Sequence, residues 1–344
     1  MALVLVNSFY LRSDFIMDAL KNQEFGVKNK RAGIHWISPF CDEALAARGC
    51  TGRLNLLQSA EYALAMRSFK GQSARFGLIS LDGQDVGFVQ ILEAGLFKNA
   101  LHGVIVDRGP LWFEGYGGRD DFRTFAQTLR GEFPRRFGRR MRFIPEMPDD
   151  PQVRSDLEMA GYRRVSAPGY QTIWIDLTQD DSFLRAQLHR SWRWRLNKAE
   201  RNNVRIEWDD AGVSFSWLMR TYVRDRQAKG YDGPSVELIM ALAGVFIPVK
   251  GLLIGRALRN GKVLGAVMFL CHGHCATYQV GWNSPAGRDA GAHHILLWEG
   301  LKTLRNRGIK ALDLGGVNDG SAHGVKAFKS GMGGELVTSA GLYH

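Results

Sequence analysis

Two β-hairpins of one design, set about half a chain apart, constrain this 344-residue sequence more than any other feature in it. The first, RFGLISLDGQDVGFVQIL, turns at Asp82-Gly83, and the second, GLLIGRALRNGKVLGAVMFL, turns at Asn260-Gly261. Asp-Gly and Asn-Gly suit a two-residue hairpin turn because both central residues must take positive φ. Gly83 and Gly87 of the first hairpin correspond to Gly261 and Gly265 of the second. Each hairpin leads into an apolar strand (His102–Val106; Ala276–Trp282), a long helical pattern (118–137; Ala290–Arg307) and a further strand (Arg140–Ile144; Ile309–Leu314). The same four elements in the same order predict a duplicated α/β domain. The boundary falls at SAPGY, giving a first domain over 52–168 and a second over 169–344. Residues 1–51 read as an N-terminal extension packed on the first domain.

Within the first domain, Ser59 opens a helix (SAEYALAMRSF) with Tyr62, Leu64 and Met66 as core contacts, and Asp149–Gly161 is a second helix with Pro151 in its first turn. The RGPLW corner follows the strand at His102–Val106. Between the repeats, Leu184, Leu188, Trp192, Leu196 and Ala199 recur at helical spacing and should face the protein. Arg190, Arg193, Lys198 and Arg201 then point elsewhere, with Trp194 among them. That surface is either a solvated basic face or one that meets phosphates with a ring available for stacking.

Composition narrows the function classes. At 45% hydrophobic the chain can bury two cores, and no window approaches the roughly 18 apolar residues a membrane span needs. The N-terminal MALVLVNSFYLRS lacks a basic leader, and four cysteines do not make a disulfide framework. The expectation is a soluble, cytoplasmic protein. A net charge of +11 favours a polyanionic partner: nucleic acid, an anionic membrane surface, or a phosphorylated donor or acceptor.

Several motifs fail. There is no G-x-S-x-G elbow, and Gly255–Lys262 has P-loop-like glycines at the wrong spacing on a hairpin turn. Cys271–Cys275 (CHGHC) reads as a hairpin tip around Gly273 and not as a zinc site, so no metal is assigned. His293 and His294, adjacent at a helix start, face different directions. Two stretches survive. Asp313–Glu335 (DLGGVNDGSAHGVKAFKSGMGGE) holds seven glycines around a cationic turn with Phe328 and Lys329, which suits a site at the mouth of a sheet, although two ordinary turns around a surface helix fit the same composition. Arg288-Asp289-Ala290-Gly291-Ala292-His293 opens a helix after a strand, where loop amides could hold a pyrophosphate.

Taken together, LLQSAEY, HGVIVDRGPLW, WRWRLNKAER, GRDAGAHHILLWEGLKTLRNRG and above all LDLGGVND…HGVKAFKSGMGGELV resemble the Fem family of peptidoglycan-bridge aminoacyltransferases and related GNAT-fold N-acyltransferases, over roughly residues 52–344. The resemblance implies an α/β (α+β) fold of tandem GNAT-like domains, each with a twisted, mostly antiparallel mixed sheet. It implies transfer of an acyl group to an amine. The donor is a co-substrate, acyl-CoA (acetyl-CoA) or aminoacyl-tRNA, with no bound cofactor. The acceptor is a lipid- or nucleotide-linked envelope glycan or muropeptide precursor. Contact with tRNA or an anionic membrane surface is compatible with it, and no stable protein partner is expected. Residue by residue, Phe328 and Lys329 match the family's Phe-Lys pair, and Asp313, Gly315 and Gly316 match the loop beneath it. Arg288 and Gly291 match the pyrophosphate loop, with His293 where Gly or Ala is usual, and Arg193 and Lys198 join the donor side. Tyr222, Arg226 and Tyr278 fall at acceptor positions. Tyr62 stands where the family commonly has Trp, and no coiled-coil arm follows Lys198–Val204.

On these grounds Lys329 is assigned to the oxyanion or leaving group. Asp313 either accepts a proton or caps the Gly-Gly turn, and His323 is a second candidate base. The alternative from another class is a non-catalytic relative that docks on RNA or membrane. Because Phe328-Lys329 and the Gly-Gly loop have no counterpart in the first repeat, the chemistry is expected in the second.

Overall fold

The computed structural model describes residues 32–37, 52–165, 169–317 and 323–344, and of His323 only the backbone. The rest of the expected N-terminal extension lies outside the described residues. Asp82 and Gly83, and Asn260 and Gly261, all have positive φ as the turn dipeptides require.

The first lobe contains β1 (Ala32–Ile37), α1 (Ala60–Lys70), β2 (Ser73–Leu81), β3 (Gln84–Leu96), β4 (Leu101–Gly109), β5 (Leu111–Trp112), α2 (Arg119–Glu132), β6 (Arg139–Pro145) and α3 (Pro151–Met159). Its sheet runs β1-β2-β3-β4-β6, with β5 beside β3, and its one parallel pair is β4–β6. Ser59 caps α1 by accepting from the Tyr62 N–H, and Asp150 caps α3 ahead of Pro151. Tyr62 and Met66 are buried as predicted, but Leu64 is exposed and Ala63 and Ala65 are buried instead. The small alanines sit where α1 closes on the second lobe, so proximity and not side-chain size decides that face.

The second lobe opens with β7 (Gln171–Asp176), α4 (Asp181–Gln187), α5 (Arg190–Arg201), β8 (Arg205–Asp209), α6 (Phe215–Lys229) and α7 (Val236–Phe246). It continues with β9 (Leu252–Arg259), β10 (Lys262–His272), β11 (Cys275–Asn283), α8 (Pro285–Ala290), α9 (Ala292–Asn306), β12 (Ala311–Asp313), α10 (His323–Ser330) and β13 (Glu335–Thr338). The sheet order is β13-β7-β12-β11-β10-β9-β8, and again one pair, β11–β12, is parallel. The five apolar positions predicted on Leu184–Ala199 are all buried, but the helix breaks after Gln187 into α4 and α5. The predicted Ala290–Arg307 helix likewise divides at Gly291, whose φ of 73° ends α8 and starts α9.

The duplication extends to an irregularity. In the first hairpin Ile79 pairs with Gly87 and Ser80 with Asp85, leaving Val86 as an extra bulged residue. In the second, Leu258 pairs with Val263 and Ala257 with Gly265, leaving Leu264 extra. Both bulges lie one residue before the corresponding glycine.

One segment crosses between the lobes, and it is the C-terminal one. β7, which follows the first lobe in the chain, is inserted in the second sheet between β13 and β12. The residues after β13 return to the first lobe, where Tyr343 bridges Phe143 and Arg164, and Ser339 bridges Pro148. Ala340 and Tyr343 are fully buried in the first core with Phe122, Phe125, Phe143 and Tyr162. A further core joins Tyr62, Ala63, Ala65 and Met66 of α1 to Leu218 and Tyr222 of α6 and Ile239, Leu242 and Phe246 of α7. Among the described residues no helix is long and apolar enough to cross a membrane, and no group of His, Cys, Asp and Glu is arranged to hold a metal.

Candidate active site

β12 ends at Asp313, and the chain turns through Gly315 at φ 72° before α10 brings Phe328 and Lys329 back over the turn. Asp313 is 1% exposed. Its Oδ1 accepts from the Gly315 N–H at 2.8 Å and from the Thr172 hydroxyl, and its Oδ2 accepts from Arg108 Nη1 at 2.7 Å. Of the two roles left open by the sequence, the turn cap is the one this geometry displays.

Arg108 comes from the first lobe, at the end of β4, with φ 53°. It is buried, grips Glu146 through Nε and Nη2 at 2.9 and 2.8 Å, and lies over the rings of Tyr170 and Trp174. Burial opposes its charge, but Glu146 and Asp313 outweigh that and raise the guanidinium pKa above its ordinary value. Pairing on both sides keeps the buried cation from standing alone. Sequence reasoning reached the RGP corner but assigned Arg108, Glu146 and Thr172 no part. A cavity of about 310 Å³, lined by Arg53, Trp112, Tyr116 and Glu146 among others, opens on the first-lobe side of the cluster.

Lys329 is 8% exposed, and its Nζ donates to the Gly316 carbonyl at 2.9 Å and the Gly315 carbonyl at 3.4 Å. The ammonium lies 5.7 Å from the centre of the Tyr278 ring. Tyr278 sits on β11 at a bulge, where Met268 pairs with Val280 and Phe269 with Tyr278. Its phenol folds over Gly281, where a Cβ would come within 1.8 Å of the hydroxyl oxygen. Burial, reinforced by Tyr231, raises the Tyr278 pKa, so the hydroxyl keeps its proton. A cation, a protonated phenol and a loop of backbone dipoles thus converge at one end of the parallel β11–β12 pair.

Phe328 packs in an aromatic group with His294 (5.1 Å between ring centres, nearly perpendicular), Trp192 (6.0 Å) and His293 (6.1 Å). Burial lowers the pKa of each histidine to about 4, so both rings are neutral at pH 7 and act as walls.

The donor-side residues gather around the start of α9. Gly291 lies against α5, its missing Cβ pointing at Ala199 and the Arg195 carbonyl, and Asn202 donates to the Ala290 carbonyl. The backbone N–H of Arg288 is used by Ser284 and that of Gly291 by Arg288, inside α8. Arg193 is half-buried on α5, Lys198 is exposed, and the Lys198 ammonium lies 5.9 Å from the ring of Trp194, which is 58% exposed. On the acceptor side, Tyr222 of α6 is buried, donates to the Pro234 carbonyl at 2.8 Å and meets Tyr231 edge-on, with Arg226 half-buried one turn on. The side chain of His323 lies outside the described residues.

Residues 183–330, a span that includes Phe328 and Lys329, match the family described as acetyltransferase (GNAT) domain. Among solved structures the chain is similar to the crystal structure of FemX, with 15% identity, a TM-score of 0.71, and coverage of 90% of this chain and 96% of that one. It is also similar to a conserved protein of unknown function from Bacteroides thetaiotaomicron VPI-5482, with 15% identity, a TM-score of 0.57, and coverage of 90% and 98%. No curated protein matches the chain. Both structural likenesses are likenesses of fold.

Proposed function

We propose, from the premise that this chain is an acyltransferase of tandem GNAT fold whose residues 183–330 form an acetyltransferase (GNAT) domain, that it transfers an acyl group to an amino group of a cell-envelope glycan or peptidoglycan precursor. The observation that carries this reading is Lys329, a nearly buried ammonium held on the Gly315-Gly316 carbonyls beside Tyr278.

The donor carbonyl arrives activated, as a thioester or ester, so a neutral amine attacks it directly. The N–C bond forms, charge collects on the carbonyl oxygen, the C–S or C–O bond breaks, and the amine's proton leaves to solvent or to the departing group. A cation in a site poor in water stabilises that charge far better than one in bulk water. Lys329 takes this role, and the Tyr278 hydroxyl is a donor within the same site. Asp313 positions the loop, since its two oxygens are already occupied by Arg108, Thr172 and Gly315. Phe328, His293 and His294 wall the acyl group from water. Tyr222 and Arg226 face the acceptor.

Acyl-CoA is the donor that the acetyltransferase domain supports. One observation favours aminoacyl-tRNA as a second reading: the Arg288 and Gly291 amides are spent within α8, while α5 presents Arg193, Lys198 and the exposed Trp194 to a phosphate backbone. Labelled acetyl-CoA turnover with and without ribonuclease separates the two. Turnover insensitive to ribonuclease supports acyl-CoA, whereas none without charged tRNA overturns it. Mass spectrometry of envelope precursors, with and without the protein, then reads the acyl group as a fixed mass increment. No increment in any envelope precursor defeats the acceptor assignment.

A further inference from the structure

Four exposed apolar side chains of the first lobe converge far from the site just described. Phe137 is 100% exposed and Phe97 78%, and Leu96 and Leu101 stand beside Phe97 with about half their surface or more in solvent. They belong to two turns that the sheet places together. β4 and β6 run parallel with His102 opposite Arg139, so the β3–β4 turn and the loop entering β6 emerge side by side. Arg136 fastens the two, its Nη1 donating to the Ala100 and Phe137 carbonyls and its Nη2 to the Asn99 carbonyl. The His102 N–H donates to the Gly138 carbonyl at 2.8 Å.

The tip is also strained. Phe97, Lys98 and Asn99 have φ of 52°, 56° and 66°, a left-handed run rare for residues with side chains and rarer for an aromatic one. None of the described residues covers Phe97 in return. Strain kept at an exposed apolar tip points to a use outside the fold.

Charge identifies the occupant. Segments 94–101 and 133–141 contain Lys98, Arg135, Arg136, Arg139 and Arg140 and no Asp or Glu. A cap of Phe and Leu within a collar of cations is the composition that enters the interface of an anionic bilayer, with rings and aliphatic chains below the headgroups and cations among them. RNA would use the cations and the rings but gives Leu96 and Leu101 nothing to stack on.

We propose that this tip is a membrane anchor for anionic phospholipid surfaces. It goes beyond the acyl transfer proposed above and does not depend on it. The anchor lies at the opposite end of β4 from Arg108, roughly 20 Å away at the rise of a β-strand, so the protein would dock by one end of the first lobe and keep the Lys329 site clear of the bilayer.

The test is sedimentation of the full chain with vesicles of phosphatidylglycerol and phosphatidylcholine, at low and high salt, beside vesicles of phosphatidylcholine alone. The expected result is retention on the anionic vesicles that weakens with salt. Both Phe97→Ala/Phe137→Ala and Lys98→Glu/Arg135→Glu should reduce it by about tenfold or more, with melting midpoints unchanged. Arg136 is left intact because it joins the loops. Failure of the wild-type chain to bind, or binding by either variant at wild-type strength, overturns the proposal. So does a wild-type dimer that the Phe variant splits, which would make a second copy the occupant. Loss of RNA retention with vesicle binding intact would make it RNA. None of these readouts depends on the donor or acceptor of the reaction.

Discussion

Replacing Lys329 with Met keeps a stem of similar shape and removes the charge beside Tyr278. Turnover should fall by about 10² to 10³-fold, with a modest change in melting midpoint, because the two carbonyls that lose a donor can turn to water. Arg108→Met has the opposite signature. It strands Asp313 and Glu146 as unpaired carboxylates at the junction of the lobes and should cost about 3–5 kcal/mol in urea denaturation, with Arg108→Lys falling between. A pH series tests the buried imidazoles. Burial holds the pKa of His272 down to about 3 and those of His293 and His294 to about 4, from an ordinary 6.5. The unfolded chain therefore binds more protons below pH 6.5, so their contribution is complete above that pH and is lost as pH falls toward 4. Three such groups give a slope of up to about 4 kcal/mol per pH unit, against one proton in the opposite sense from Asp107, whose pKa burial raises. Flat stability from pH 7 to pH 5 would contradict this. At this scale the sequence showed what is local. Asp313 and Gly315 are two residues apart, and their cap was readable, whereas Arg108 lies 205 residues from Asp313, and no periodicity connects them.

At the scale of elements, the hairpins were legible because three independent signals agree: paired apolar runs, an Asp-Gly or Asn-Gly turn, and a matched glycine four residues later. The joint between α8 and α9 was not. A helical pattern runs unbroken through Gly291, and one glycine does not announce a left-handed turn until α5 is seen pressed against it. Gly291→Ala must adopt φ of 73° and meets Ala199 at 3.0 Å and the Arg195 carbonyl at 3.1 Å, whereas Gly308→Ala, at φ 81°, faces open space. Both should lose about 1–2 kcal/mol for the backbone, and Gly291→Ala about 1–3 kcal/mol more for packing. Equal losses in denaturant melts would remove α5 as the partner of that joint.

At the scale of the whole molecule, the tandem plan was readable and the return of the C-terminal residues to the first lobe was not. Pairing depends on where chain segments meet, and SAPGY reads as a boundary wherever the residues after β13 pack. That return predicts one cooperative unfolding transition instead of two. Tyr343→Ala, at the far end of the second lobe in sequence but fully buried in the first core, should destabilise the protein by about 3–5 kcal/mol without dividing that transition. Two resolved calorimetric peaks would show the lobes to be thermally independent.

The same return of the C-terminal residues sets an order of events during synthesis. A ribosome completes β1 through α3 long before it reaches Ala340 and Tyr343, which lie beyond every strand of the second sheet. Until those residues emerge, the first lobe has an open seam beside β6 where Tyr343 will bridge Phe143, and unpaired strand edges are where nascent chains associate wrongly. The half translated first is therefore the half finished last, and a chain stalled within the second lobe leaves the first one open.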